Sequence, residues 1–265
     1  MTANFRSDPV RLPNPSPRDA FPLLVFALKV DGYYTSLIRY APSAVAGLGG
    51  RLLYVGGLDG DGRALMVGAN IAGAASLGST ADPVAQKQAI HEGVADFLVT
   101  TLDEAIRILK NEIRKREAVS VCVAAAPEAI EREMLERGVV PDLVRELGVS
   151  SAPESALNFG GSAALVTPRV AAQGESVLTW SIDEVPAHWL PQLDVIAMDC
   201  LASDESPSAQ MARRWLRLAP RYLGRLARNM RVLRCSTPAA NAIAERMRAG
   251  VQCGEIAVPV RIEVV

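Results

Sequence analysis

The chain is poor in the residues that build metal sites and cross-links. It carries two histidines, His91 and His188, and four cysteines, Cys122, Cys200, Cys235 and Cys253, with no CxxC pair. So few histidines exclude a multi-histidine metal centre. Scattered cysteines argue against a disulfide scaffold and a cysteine-rich zinc site, so no metal ligand is assigned. An excess of one charge is also missing: 28 Lys and Arg meet 29 Asp and Glu, the net charge is −1 and the pI about 6.2. That balance argues against a dedicated nucleic-acid binder. Long hydrophobic runs are absent, and the apolar stretch Phe21–Leu28 falls short of the ~20 residues a bilayer demands. The polar, Pro-rich start has no apolar leader core. The expectation is a soluble, cytoplasmic protein with reduced thiols and no membrane partner.

What is present is ordinary globular composition: 265 residues, 49% apolar and 22% charged, enough for one large domain or two small ones. The expected organisation is a flexible Pro-rich arm over 1–17, an α/β core over 18–150 and a C-terminal α/β extension over 151–265 packed on that core. From Arg18 to Tyr40 the pattern is helical, with a break expected at Asp31-Gly32. RLLYVGG (51–57) is a buried strand ending in glycines. A helix over 64–76 follows, then a strand in LGST (77–80), a helix over 84–92 and a strand in VADFLV (94–99). Thr101 and Glu104 form a capping box ahead of a helix with Leu102, Ile106, Leu109 and Ile113 on one stripe. A strand over 118–126, a helix from Pro127 to Gly138 and a strand from Pro141 complete the series. This β-α alternation predicts a parallel, Rossmann-like sheet. Beyond it, 176–183, 193–201, 231–236 and 256–265 are expected strands, with Pro259 placing the last at an edge. Helices are expected over 206–229 and from Thr237 to Gly250.

A strand, a glycine turn and a helix N-terminus make an anion site, because free N–H groups and the helix dipole both favour negative charge. The turn GGLDGDGRALMVGANIAGAASL (56–77) has that form, and its small residues let the helix lie close against a sheet. Together with ADP (81–83), HEGVADFLVTTLDEAIRIL (91–109), EAVSVCVAAAPE (117–128) and RGVVPDLV (137–144), it resembles the NAD-binding core of urocanase (urocanate hydratase) over residues 46–145. The resemblance implies a Rossmann-type fold and an NAD that acts as an electrophile toward an imidazole before water adds. It implies a cofactor site drawn from Gly57, Asp59, Gly60, Gly62, Arg63, Thr80 and Asp82.

The departures from that family are equally specific. Asp59 and Asp61 bring charge into the phosphate turn. Two like unit charges at ~4 Å repel by about 1 kcal/mol in water and about 4 kcal/mol near a protein surface, which lowers affinity about 10- to 1000-fold. Arg63 would offset this by meeting a phosphate. The alternative is that the two acids face solvent and cap the helix. Thr80 stands where dinucleotide folds place an acid for the ribose. Asp82 either substitutes for that acid or opens the next helix. The flanks do not resemble the family, and no catalytic residue is assigned.

Two readings therefore stand. One is a urocanase-like, NAD-using lyase or hydratase acting on a small heteroaromatic or amino-acid-derived metabolite. It would draw catalytic groups from the C-terminal lobe or a partner subunit, as a homodimer or other homo-oligomer. The other is a non-catalytic Rossmann-type binding or assembly protein that has lost the cofactor. A third ligand, S-adenosylmethionine, would tolerate an acidic turn. His91 faces either the nucleotide crevice or a helix C-terminus, and His188 is read as a surface turn residue. Cys200, Cys235 and Cys253 near strand ends are candidate nucleophiles, and Cys122 is read as core. Seven acids and no Lys or Arg fill 171–211, whereas ten arginines meet one acid over 212–250. The arginine stripe over 213–234 either pairs with the acidic segment or meets an acidic or phosphate-bearing partner.

Overall fold

The computed structural model describes residues 17–146 and 163–265. The arm up to residue 16 and the run 147–162 lie outside the described residues. Helix α1 (Pro17–Leu37) precedes a regular alternation of β1 (Leu52–Gly57), α2 (Gly60–Ala72), β2 (Ala75–Ser79), α3 (Pro83–His91), β3 (Phe97–Val99), α4 (Leu102–Lys115), β4 (Val119–Val123), α5 (Pro127–Glu136) and β5 (Leu143–Arg145). A short strand β6 (Ala164–Val166) follows. These six strands form one parallel sheet in the order β3-β4-β2-β1-β5-β6. Parallel neighbours need crossovers, and the intervening helices supply them. Strands β2 and β4 are buried at every position, as expected when helices cover both faces.

Local chemistry sets the boundaries. Thr101 caps α4 by accepting the Glu104 N–H at 3.3 Å, and the Glu104 carboxylate takes the Thr100 N–H at 3.0 Å. Gly73 ends α2 at φ 93°, a left-handed conformation that glycine adopts without penalty.

The C-terminal third builds a second layer: β7 (Glu175–Ser181), α6 (Pro186–Ala202), α7 (Pro207–Tyr222), a 3-10 turn (Leu226–Arg228), β8 (Met230–Ser236), α8 (Thr237–Gln252) and β9 (Arg261–Val264). Its strands form a separate antiparallel sheet, β8-β7-β9, with β9 at an edge just after Pro259.

Four expectations are corrected. Residues 193–201 are helical, not a strand: Leu190, Leu193, Ala197 and Leu201 are buried at helical spacing, and the β-branched pair Val195-Ile196 masks that period. The helix expected at 64 begins at Gly60, because Asp59 caps it. The α1 break at Asp31-Gly32 is absent. Asp31 stays in the helix and pairs with Arg234 Nε at 2.5 Å, and a side chain at Gly32 would meet the Arg169 carbonyl oxygen at 2.8 Å. Finally, the span Phe21–Tyr40 is by length and composition apolar enough to cross a bilayer. Here it serves as a core helix, with Ala27, Val30, Tyr33, Tyr34 and Leu37 buried.

One apolar cluster runs from β1 and α2 through α1 into β7, α6, α7 and α8. Tyr34 packs on Trp215 with ring centroids 5.3 Å apart and donates to the Met211 carbonyl at 2.9 Å. The Trp215 indole N–H donates to the Val232 carbonyl at 2.6 Å. Beside them Arg214, only 9% exposed, has no carboxylate partner among the described residues. Its guanidinium donates to the carbonyls of Ile71 (3.1 Å), Ala72 (3.1 Å) and Val45 (2.8 Å). It thus satisfies the free carbonyls at the end of α2, where the dipole favours a cation.

Arg214→Met strips the Ile71 carbonyl of its Arg214 donor, while the Ala72 carbonyl keeps the Leu48 N–H at 2.8 Å. The expected cost is roughly 2 kcal/mol, a fall of about 4–8 °C in melting temperature for a domain of this size. Arg217→Met, at an exposed position on the same helix, serves as the control. Equal melting temperatures for the two variants would remove Arg214 from this role.

Candidate functional site

The chain leaves β1 toward β2 and returns to β5 on the opposite side of β1. Ligands of open α/β sheets bind at such a switch point, outside the carboxyl ends of the strands. Gly57 ends β1 and Arg145 ends β5, so both stand there with the first turn of α2. Gly62 fits closely: a Cβ there would lie 2.0 Å from the Gly57 oxygen and 2.9 Å from Arg145 Nη1. Gly60 lies in open space.

The anion at this helix N-terminus is the protein's own. Asp59 Oδ1 accepts the Gly62 N–H at 2.7 Å. Arg145, 7% exposed, grips the same carboxylate through both terminal nitrogens, at 2.6 and 3.2 Å, and also reaches the Gly57 carbonyl at 3.4 Å. Burial pushes the Asp59 carboxyl up. The Arg145 guanidinium and the Gly62 N–H outweigh that and hold it below its ordinary value of 3.8. Asp61 turns away to Lys29 at 2.9 Å.

The remaining predicted residues do not converge on this point. Arg63 reaches sideways to α3, pairing with Glu92 and donating to Gln88 at 3.3 Å. Thr80, at the tip of β2, accepts the Asp82 N–H at 3.2 Å. Asp82 caps α3 by accepting the Val84 N–H at 2.9 Å. His91 ends α3 and lines a cleft with Arg63 and Glu92. His188 lies in the first turn of α6 rather than in a surface turn, with Gln192 3.0 Å from its ring. Burial pushes the Cys122 thiol up to about 11 and the Cys235 thiol up to about 12, and raises Cys200 as well. A raised thiol is a poor nucleophile at neutral pH. No group of three His, Cys, Asp or Glu among the described residues suits a metal ion.

Sequence reasoning missed Arg145. Its one signal is position, at the tip of the strand across the switch point. It also missed Glu131, which burial pushes up and which accepts the Tyr54 hydroxyl at 3.2 Å. The arginine stripe divides. Arg213 pairs with Glu205 at 3.7 Å and Arg231 with Asp194 at 3.0 Å, both acids of the 171–211 segment, whereas Arg234 pairs with Asp31 of α1. Arg217, Arg221, Arg225 and Arg228 are exposed and form no ion pair among the described residues.

The parallel sheet, the glycine turn and the switch-point crevice define a Rossmann-like α/β protein. Residues 29–153 match the family model of the urocanase Rossmann-like domain. The S-methyl thiourocanate hydratase of Variovorax sp. (strain JCM 16519 / RA8) is 31% identical over 118 residues, covering 43% of this chain and 22% of that protein. The likeness to the urocanases lies in the Rossmann-like part, and the match spans 22% of that relative's length.

That family is generally NAD-dependent, so the fit of a pyrophosphate is decided by Asp59. As they stand, the residues do not fit: a carboxylate already holds the Gly62 N–H and the Arg145 fork. A depressed carboxyl stabilises the fold above its ordinary value, and that contribution is lost as pH falls through its folded value. Because Asp59 is 62% exposed, screening limits the ion pair to about 1 kcal/mol or less. Asp59→Asn is expected to lower the melting temperature at neutral pH by no more than about 3 °C. The gap should close below pH ~4. A gap that persists in acid would show that the charge of Asp59 is not what matters.

Proposed function

We propose that this chain is a urocanase-like Rossmann protein that works as a binding or assembly module without resident NAD. The observation that carries this reading is the Asp59–Arg145 pair seated on the first turn of α2. Displacing the cap costs about 1 kcal/mol and breaking an exposed pair up to about 1 kcal/mol. Together these weaken a dinucleotide about 30-fold. A carboxylate left beside the phosphates repels them by a further 1 to 4 kcal/mol, roughly. The other polar groups of the turn are committed too: Asp61 to Lys29, Arg63 to Glu92 and Asp82 to α3. Edge strand β3, with Phe97 and Leu98 exposed and no further strand beside it among the described residues, supplies a sheet edge where such a module can pair with a second copy.

A second reading rests on the match to S-methyl thiourocanate hydratase. It is an NAD-using lyase or hydratase for a small heteroaromatic metabolite. Because the chain spans 22% of that relative's length, this reading needs catalytic groups from outside the matched core.

Denaturing the purified protein and weighing the released small molecules by mass spectrometry separates the two. The expected result is no stoichiometric nucleotide and no thermal shift with millimolar NAD. Asp59→Gly, which frees the donors at little cost to the helix, is expected to gain a thermal shift with NAD. Stoichiometric NAD released from the unaltered protein would overturn the module reading in favour of the hydratase.

A further inference from the structure

Beside the first turn of α2, a cleft opens between α1, α2, α3 and the 3-10 turn after α7. Its volume is about 790 Å³, within the range of small-molecule sites. Leu58, Val67 and Val94 form a buried apolar floor, with Leu223 beside them. Asp59, Gly60 and Arg63 line one wall, so the cleft adjoins the switch-point turn, while Gly57, Thr80, Asp82 and Arg145 lie outside its lining.

The rim is what marks it. Arg225 and Arg228 flank the 3-10 turn, closed by the Arg228 N–H donating to the Arg225 carbonyl at 3.3 Å. Residues three apart in a 3-10 turn eclipse one another, so the two side chains share a face. Both are exposed at the cleft mouth and neither forms an ion pair among the described residues. Arg63, also on the wall, is neutralised by Glu92, and Asp59 by Arg145. In the same segment Arg213, Arg231 and Arg234 all have carboxylate partners. Two like charges on one face repel, and among the described residues no ion pair relieves that repulsion. Two guanidinium forks on one face are suited to bind a phosphate or carboxylate.

We propose that this cleft binds a small amphipathic anion, its apolar or aromatic body on Leu58, Val67, Val94 and Leu223 and its phosphate or carboxylate head between Arg225 and Arg228. Its two head-group arginines lie outside the glycine turn, so the arginine variants test this site and Asp59→Gly tests the turn.

The test is a fluorescence titration with 1-naphthyl phosphate. The unaltered protein is expected to bind it saturably, one to one, in the micromolar range. Arg225→Gln/Arg228→Gln, both exposed, is expected to keep its melting temperature and lose at least about tenfold in affinity, as for one charge-assisted contact. Arg217→Gln/Arg248→Gln removes the same charge from exposed positions outside the cleft and is expected to bind like the unaltered protein. 1-Naphthol and inorganic phosphate, each with half the chemistry, are expected to bind much more weakly. 1-Naphthoate binding as tightly as the phosphate would support the site and assign its head group to carboxylates. No saturable binding, an equal loss in the control pair, or 1-naphthol binding as tightly as the phosphate would each overturn the proposal.

Discussion

The structure turns on the burial of α2. From Ala64 to Ala72 every residue of that helix is buried, between the parallel sheet on one side and α1 on the other. A helix leaves N–H groups free at one end and carbonyls at the other, and burial removes the water that would satisfy them. Here charged side chains share that work with backbone N–H groups such as that of Leu48, 2.8 Å from the Ala72 oxygen: Asp59, held by Arg145, at the N-terminus and Arg214 at the C-terminus. The signs match the helix dipole, acid at the positive end and base at the negative end. Close approach is the other half of the constraint. A Cβ at Gly68 would lie 3.2 Å from the Tyr34 nitrogen and the Val30 oxygen, and one at Gly78 2.8 Å from Leu58 and Met66.

This explains how a dinucleotide-type scaffold can look intact while its anchor is closed. The glycines that bring α2 against the sheet serve the packing whether or not a phosphate sits above them. Gly62 is required by the Gly57 carbonyl and the Arg145 guanidinium alone. Glycine spacing therefore reports the fold, and the residue between the glycines reports the occupant.

The parallel half of the fold was legible because its signals are local. Alternating runs, the Thr101 cap, Pro127 and the glycines each act within a few residues. What escaped depends on distant partners. Arg145 meets Asp59 across 86 residues and Asp31 meets Arg234 across 203. No periodicity exposes such pairs. Helix α6 escaped for a different reason: Val195-Ile196 favours a strand intrinsically, and burial of the Leu190, Leu193, Ala197 and Leu201 stripe overrides that preference. At the site, the glycine turn expected ahead of the helix is shorter than its sequence suggests: Gly57 ends β1, and Gly60 and Gly62 already belong to the first turn of α2. The commitments of Asp59, Arg63 and Asp82 had to be seen in three dimensions.

The Arg214 contact also has a consequence in time. Its acceptor at Ala72 precedes it by 142 residues. During synthesis at about 5–20 residues per second, the end of α2 leaves the ribosome roughly 7 to 28 s before its cation does. By the close of that interval all six strands of the parallel sheet have been made, yet the end of α2 still lacks its Arg214 contact and the face of α1 that receives Trp215 is bare. The nascent core is thus a waiting partner rather than a finished domain, and the C-terminal third is what completes it.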